Sequence, residues 1–247
     1  MTANASKRAG LVGAAQSAAE IVAAFAGLFI ASAVLGVLVA HNAVEWLQTP
    51  LLALAMWGAV LVGALLLRLR RSSYRQLGLA RPVGWTRTLV LAVIAAVAAN
   101  LGALALGMAI QATTDWPPLD LTYIRLSIEG NAAAYLVWMV LVVWGSAAVG
   151  EELFARGFVM DRLTTLFGGS RIAIAAAVLA QALMFGFLHA IQGPTGVLIT
   201  AFVGVILAIT YYASGRNLWA PIIAHGLMDT YGLTLIFLGL PLPGHMN

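Results

Sequence analysis

Seven long apolar runs dominate the chain: Ile21–Ala40, Leu51–Leu67, Thr88–Ile110, Ala132–Gly150, Ile172–Ile191, Gly196–Tyr212 and Leu218–Leu240. Each is close to the roughly 20 residues that an α-helix needs to cross the hydrocarbon core of a bilayer. None shows the alternation over about ten residues that marks a transmembrane β-strand. The pattern predicts an all-α polytopic membrane bundle with about seven to eight transmembrane helices. Lys7 and Arg8 precede the first run, as in a signal peptide, but the run exceeds the 7–15 apolar residues typical of a signal core. It reads as a retained span.

Polar residues punctuate the runs. Gly168-Gly169-Ser170 and Ser214–Asn217 are turns, and Trp116-Pro117-Pro118 breaks the longest loop. Arg68, Arg70, Arg71, Arg75, Arg81 and Arg87 fill the loop after run two. Arg156, Arg162 and Arg171 follow run four, and Arg216 follows run six. With Lys7 and Arg8, twelve of the 13 basic residues fall on one side; Arg125 alone falls opposite, beside Asp115, Asp120 and Glu129. The positive-inside rule then predicts a cytoplasmic N-terminus and an outer C-terminus, in a bacterial-type inner (plasma) membrane. The arginine cluster is a topology signal, and no nucleic-acid partner is expected from it.

Composition narrows the classes. Of 247 residues, 62% are hydrophobic and only 9% charged. A soluble domain carries about 25% charged residues, so a soluble enzyme, a disordered chain and a nucleic-acid-binding arm are poor fits. The chain has no cysteine, which excludes disulfides, thiolate catalysis and cysteine-ligated metals. The first three runs carry almost nothing ionisable. Asn100 in the third is expected to pack or to hydrogen-bond between helices. A supporting membrane region over 1–131 and a four-span catalytic region over 132–247 follow as the domain reading.

The chemistry gathers in the last four runs, where charge at bilayer depth costs about 2.5–3.5 kcal/mol per group and so marks function. Glu151-Glu152 stand before Arg156. Glu152 and Arg156 are four apart and share a helical face, while Glu151 points elsewhere. A surface ion pair at a helix end would also explain this trio. Phe185 and His189 share a face, as do His225 and Asp229 inside the last apolar run. A structural hydrogen-bonded pair is the other reading of His225 and Asp229.

Glu151 lies 18 residues before Gly169 and His189 lies 20 after it. In an antiparallel hairpin both then stand about 27–30 Å from the turn, at nearly equal height. This requires a fourth helix that continues past Glu151 towards Phe167, with Glu151 inside the membrane. The height of His225 agrees only with some helix tilt.

In this order, Glu151-Glu152…Arg156, Phe185…His189 and His225…Asp229 resemble the three motifs of the CPBP family of intramembrane glutamic endopeptidases, which groups type II CAAX proteases with bacteriocin-processing and Abi proteins. Flanking segments Glu151–Phe158 and Ser214–His225 share its character. The resemblance implies a metal-independent, cofactor-free endopeptidase acting on peptides or membrane proteins, prenylated chains among them. It implies that Glu151 and His189 activate water and that His225 and Asp229 stabilise the oxyanion. Glu152, Arg156 and Phe185 would support the site.

Many members of that family carry Asn where Asp229 stands. With Glu151, Glu152 and Asp229 all ionised against Arg156, the site would hold an excess of two negative charges, unfavourable at membrane depth. Asp229 is therefore expected to be protonated or paired with a protonated His225. A zinc protease and a non-enzymatic membrane protein, such as an immunity factor, are the rival readings. The first lacks a His-Glu-x-x-His run.

Overall fold

The computed structural model describes residues 3–42 and 45–241, with side chains at 12–40 and 46–241. Lys7, Arg8 and the end of the expected 132–247 region fall outside the described side chains. Among the described residues the elements are helical throughout. They are α1 (Ala3–Asn42), α2 (Glu45–Ala53), α3 (Met56–Leu69), α4 (Trp85–Thr113), a short α5 (Thr122–Ile128), α6 (Ala132–Leu166), α7 (Arg171–Leu188), α8 (Gly193–Ala213) and α9 (Trp219–Phe237).

Among the described residues, six helical stretches are long and apolar enough to cross a membrane. The chain is a multi-pass membrane protein. Helices α2 and α3 act as one bent span, with Pro50 inside α2 and a turn at Leu54–Ala55. Proline lacks the N–H that a helix needs, and such bends strand backbone carbonyls. The Ala53 carbonyl is taken up by the Ser146 hydroxyl of α6 at 2.6 Å, as an apolar solvent demands. The seventh expected span, α9, has 19 residues, carries His225 and Asp229, and is not among these six.

Helix α6 settles the conflict between the hairpin arithmetic and the apolar boundary at Gly150. It runs unbroken to Leu166, so Glu151 lies mid-helix. Arg156, counted above with the loop after run four, is inside the bundle. Apolar burial with Glu152 overrides its reading as a topology residue. From Trp138 to Glu151 and from Leu153 to Val159 the helix winds as π-helix, a rare winding that favours functional sites. Four residues stay close to one turn in either winding, so Glu152 and Arg156 still meet.

The α6–α7 hairpin closes as expected. Gly168 (φ 92°) and Gly169 (φ 74°) take left-handed backbone, and Ser170 caps α7 by accepting from the Ala173 N–H at 3.1 Å. Helix α7 ends at Leu188, short of the expected Ile191. His189 follows it at φ −101°, ψ 20°, and a 3₁₀ turn over Ala190–Gln192 leads into α8.

One core joins α1 and α3 to α6 and α9 through Leu28, Met56, Phe154, Phe158 and Ile222. Helix α1 begins ahead of the first apolar run and buries Glu20. Its carboxylate meets Arg70, just past the end of α3 (2.6 Å), and Arg162 of α6 (2.7 Å). The loop arginines gather at this same end. At the opposite end the 114–131 segment folds over the bundle. Thr195 donates to the Pro117 carbonyl (2.7 Å), the Asp120 N–H to Gln192 (3.1 Å) and the Gly130 N–H to Phe237 (3.1 Å).

Candidate active site

The deepest layer is a fully buried ion pair. Arg156 Nη1 donates to Glu152 Oε1 at 2.7 Å, and both side chains are 0% exposed. Further hydrogen bonds offset the cost of taking such a pair out of water. Arg156 Nη2 donates to the Gly204 carbonyl of α8 at 3.2 Å, and its guanidinium carbon lies 4.5 Å from the centre of the Phe185 ring. The same Gly204 carbonyl accepts from Gln181 Nε2 at 3.2 Å. Gly204 permits this approach of α7 and α8: a Cβ there would stand 3.1 Å from Ala182 Cα.

Above the pair sits His225. Its Nδ1 donates to Glu152 Oε1 at 2.9 Å, the carboxylate already held by Arg156. Its Nε2 then faces Asp229 Oδ2 at 3.4 Å and Glu151 Oε2 at 4.0 Å. One imidazole thus links the two adjacent glutamates, 73 and 74 residues before it in the chain, to the aspartate four residues after it. Gly226 lets α9 lie close to α6, since a Cβ at that position would meet the Trp144 ring at 2.6 Å.

His189 is oriented by its own helix end. Its Nδ1 donates to the Phe185 carbonyl at 2.9 Å, which leaves Nε2 as the free nitrogen. The Phe185 ring lies 5.0 Å from that of His189 and 6.1 Å, edge-on, from that of His225. Phe185 is buried and spaces the two imidazoles while covering Arg156.

These groups open onto a cavity of about 530 Å³, lined by Glu151, Phe185, His189, His225 and Asp229 and roofed by Tyr123 and its neighbours in the 114–131 segment. Glu151 and Asp229 keep 16% and 29% of their side chains exposed there, whereas Glu152 keeps none. A second space of about 230 Å³, beside α1 and α2, also reaches Glu151 and His189. All seven residues singled out from the sequence are brought together. Asn100 lines the main cavity too, with its amide donating to the Ala96 carbonyl of its own helix (2.9 Å) rather than between helices.

Gln181 and Gly204 were not singled out. The first had a signal: Gln181, Phe185 and His189 recur every four residues on one helical face. A glycine in the apolar run of α8 had none.

Residues 133–231 match the Rce1-like family model, described as type II CAAX prenyl endopeptidase Rce1-like. The Rce1-like region takes in Glu151, Glu152, Arg156, Phe185, His189, His225 and Asp229, and excludes α1–α5. It agrees with the CPBP resemblance read from the three motifs. The family is one of CAAX-type proteases, which are peptide hydrolases, and the match covers the membrane helices that build the site. No curated protein and no solved structure matches the chain.

Proposed function

We propose that this protein is an intramembrane glutamic endopeptidase that cleaves peptide bonds of membrane-associated or lipidated substrates. The observation that carries the reading is the split between two neighbouring glutamates. Glu152 is sealed with Arg156 and orients His225, while Glu151 stays open to the cavity beside His189. One carboxylate is spent on structure and the other is free for proton transfer.

In the reaction, Glu151 and His189 Nε2 take a proton from water as its oxygen attacks the substrate carbonyl carbon. General bases of this kind contribute about 10²–10⁴-fold. Because His225 Nδ1–H is committed to Glu152, its Nε2 becomes a donor only when the ring is an imidazolium. Asp229 keeps that proton close, or carries it itself. A hydrogen from this pair reaches the tetrahedral oxyanion, an interaction strengthened in a dry site. Collapse breaks the C–N bond, and the proton held by the base goes to the departing amine.

Helices α6–α9, within 132–247, carry the reaction, and 1–131 supports them. The membrane is a bacterial-type inner membrane, with the arginine-rich end in the cytoplasm. A zinc protease is the rival enzyme reading, and cleavage that persists in chelator would discard it. The test is hydrolysis of a peptide panel by purified wild type, Glu151→Gln and His189→Ala. Cleavage by wild type and a loss of at least about 10²-fold in both variants is expected. A cellular phenotype that survives Glu151→Gln would leave the non-enzymatic reading in its place.

A further inference from the structure

The carboxylates facing the cavity have no lysine or arginine counterpart there, and on the endopeptidase reading this bears on the substrate. Among the described residues no lysine or arginine lines the cavity, whereas Glu151 and Asp229 both do. Arg156 lies beneath it, its Nη1 and Nη2 held by Glu152 and the Gly204 carbonyl. His225 Nε2 stands between the two cavity carboxylates. With one proton shared among these three groups, the trio keeps a net negative charge wherever the proton sits.

The rim repeats the sign. The 114–131 segment, part of which roofs the cavity, holds Asp115, Asp120 and Glu129 against Arg125. Arg125 pairs with Glu129 at 3.2 Å, which leaves Asp115 and Asp120 exposed. The Thr122 backbone N–H donates to Asp120 at 2.9 Å and holds its carboxyl below the usual carboxylate range. The loop arginines stand at the other end of the bundle. A chain entering from the 114–131 end passes acids and arrives at acids. Like charges brought together in a partly dry site oppose binding, and opposite charges assist it.

The geometry points to a substrate that carries lysine or arginine within a few residues of the scissile bond, and against one that places a free C-terminal carboxylate there. The first kind supplies the missing countercharge. The second adds a negative charge to a site that already has one unbalanced.

The experiment uses full-length wild-type protein in nanodiscs of neutral lipid. The probes are peptides that differ only in Lys or Glu on either side of one scissile bond, each made as a C-terminal acid and as an amide. Cleavage is read as kcat/KM, and binding is read by anisotropy on the same peptides with that bond N-methylated. The Lys peptides are expected to lead the Glu peptides about tenfold in both readouts, with the lead shrinking in about 0.5 M salt. Amides should exceed acids where the terminus is near the bond. Asp120→Asn, a rim change outside the reacting groups, should lower the Lys-to-Glu ratio while cleavage of a neutral peptide persists. Cleavage lost in Glu151→Gln but indifferent to Lys or Glu would overturn this inference and leave the endopeptidase standing. Lys-preferring binding with no cleavage of any peptide would overturn the endopeptidase reading, and the scissile-bond assignment with it.

Discussion

His225 donates its Nδ1 hydrogen to Glu152, 2.9 Å away and on another helix, and Glu152 accepts at the same oxygen from Arg156 at 2.7 Å. The imidazole is therefore aimed by a carboxylate that never meets the cavity. Its orientation depends on a buried charge pair, and the pair can be tested apart from the chemistry.

Breaking that pair from one side should be worse than removing it. Arg156→Gln leaves Glu152 charged and uncompensated in the core, a change that costs about 3–5 kcal/mol in buried pairs. Glu152→Gln combined with Arg156→Gln should recover part of the stability but not the activity, because His225 loses its ionised acceptor. Denaturant titration in detergent and the peptide assay measure the two effects separately.

The Gly204 carbonyl should be similarly sensitive. Gly204→Ala sets a methyl 3.1 Å from Ala182 Cα and must move α8 away from α7. Overpacking of this size costs about 1–3 kcal/mol. It also draws the carbonyl away from Arg156 and Gln181, so kcat should fall with little change in KM.

At Asp229 the outcome separates a hydrogen donor from an ionised group. Asp229→Asn keeps a donor beside His225 Nε2 and should retain activity within about tenfold, whereas Asp229→Ala should fall by about 10²-fold or more. Complete loss in a folded Asn variant would remove Asp229 from the oxyanion role.

Glu20 ties α1 to the catalytic hairpin by way of Arg70 and Arg162. Glu20→Ala strands a mostly buried Arg162 beside Asp161 alone. A loss of about 2 kcal/mol is expected, at the lower side of buried-pair effects because Arg70 reaches solvent. Thermal denaturation should register it, together with earlier proteolysis within α1.

Orientation is open to labelling because the chain has no cysteine. A membrane-impermeant maleimide should label Asp120→Cys in intact cells, and Arg75→Cys only after permeabilisation. The reverse pattern would invert the topology read from the arginines.

The helical runs, the two turns and the seven residues that the fold brings together were legible in one dimension. Bilayer thickness sets the length of an apolar run, and charge at depth is costly enough to stand out. The equal spacing of Glu151 and His189 about Gly169 even required α6 to run past its apolar boundary, as it does. What the string of residues left undecided was the partnership of each acid. Glu151 and Glu152 are neighbours of identical chemistry, and only the packing of α8 and α9 against α6 seals one and leaves the other open. Glu20, Gln181 and Gly204 were missed for the same reason. Their partners lie on other helices, so their roles come from contacts between distant parts of the chain and from no local period.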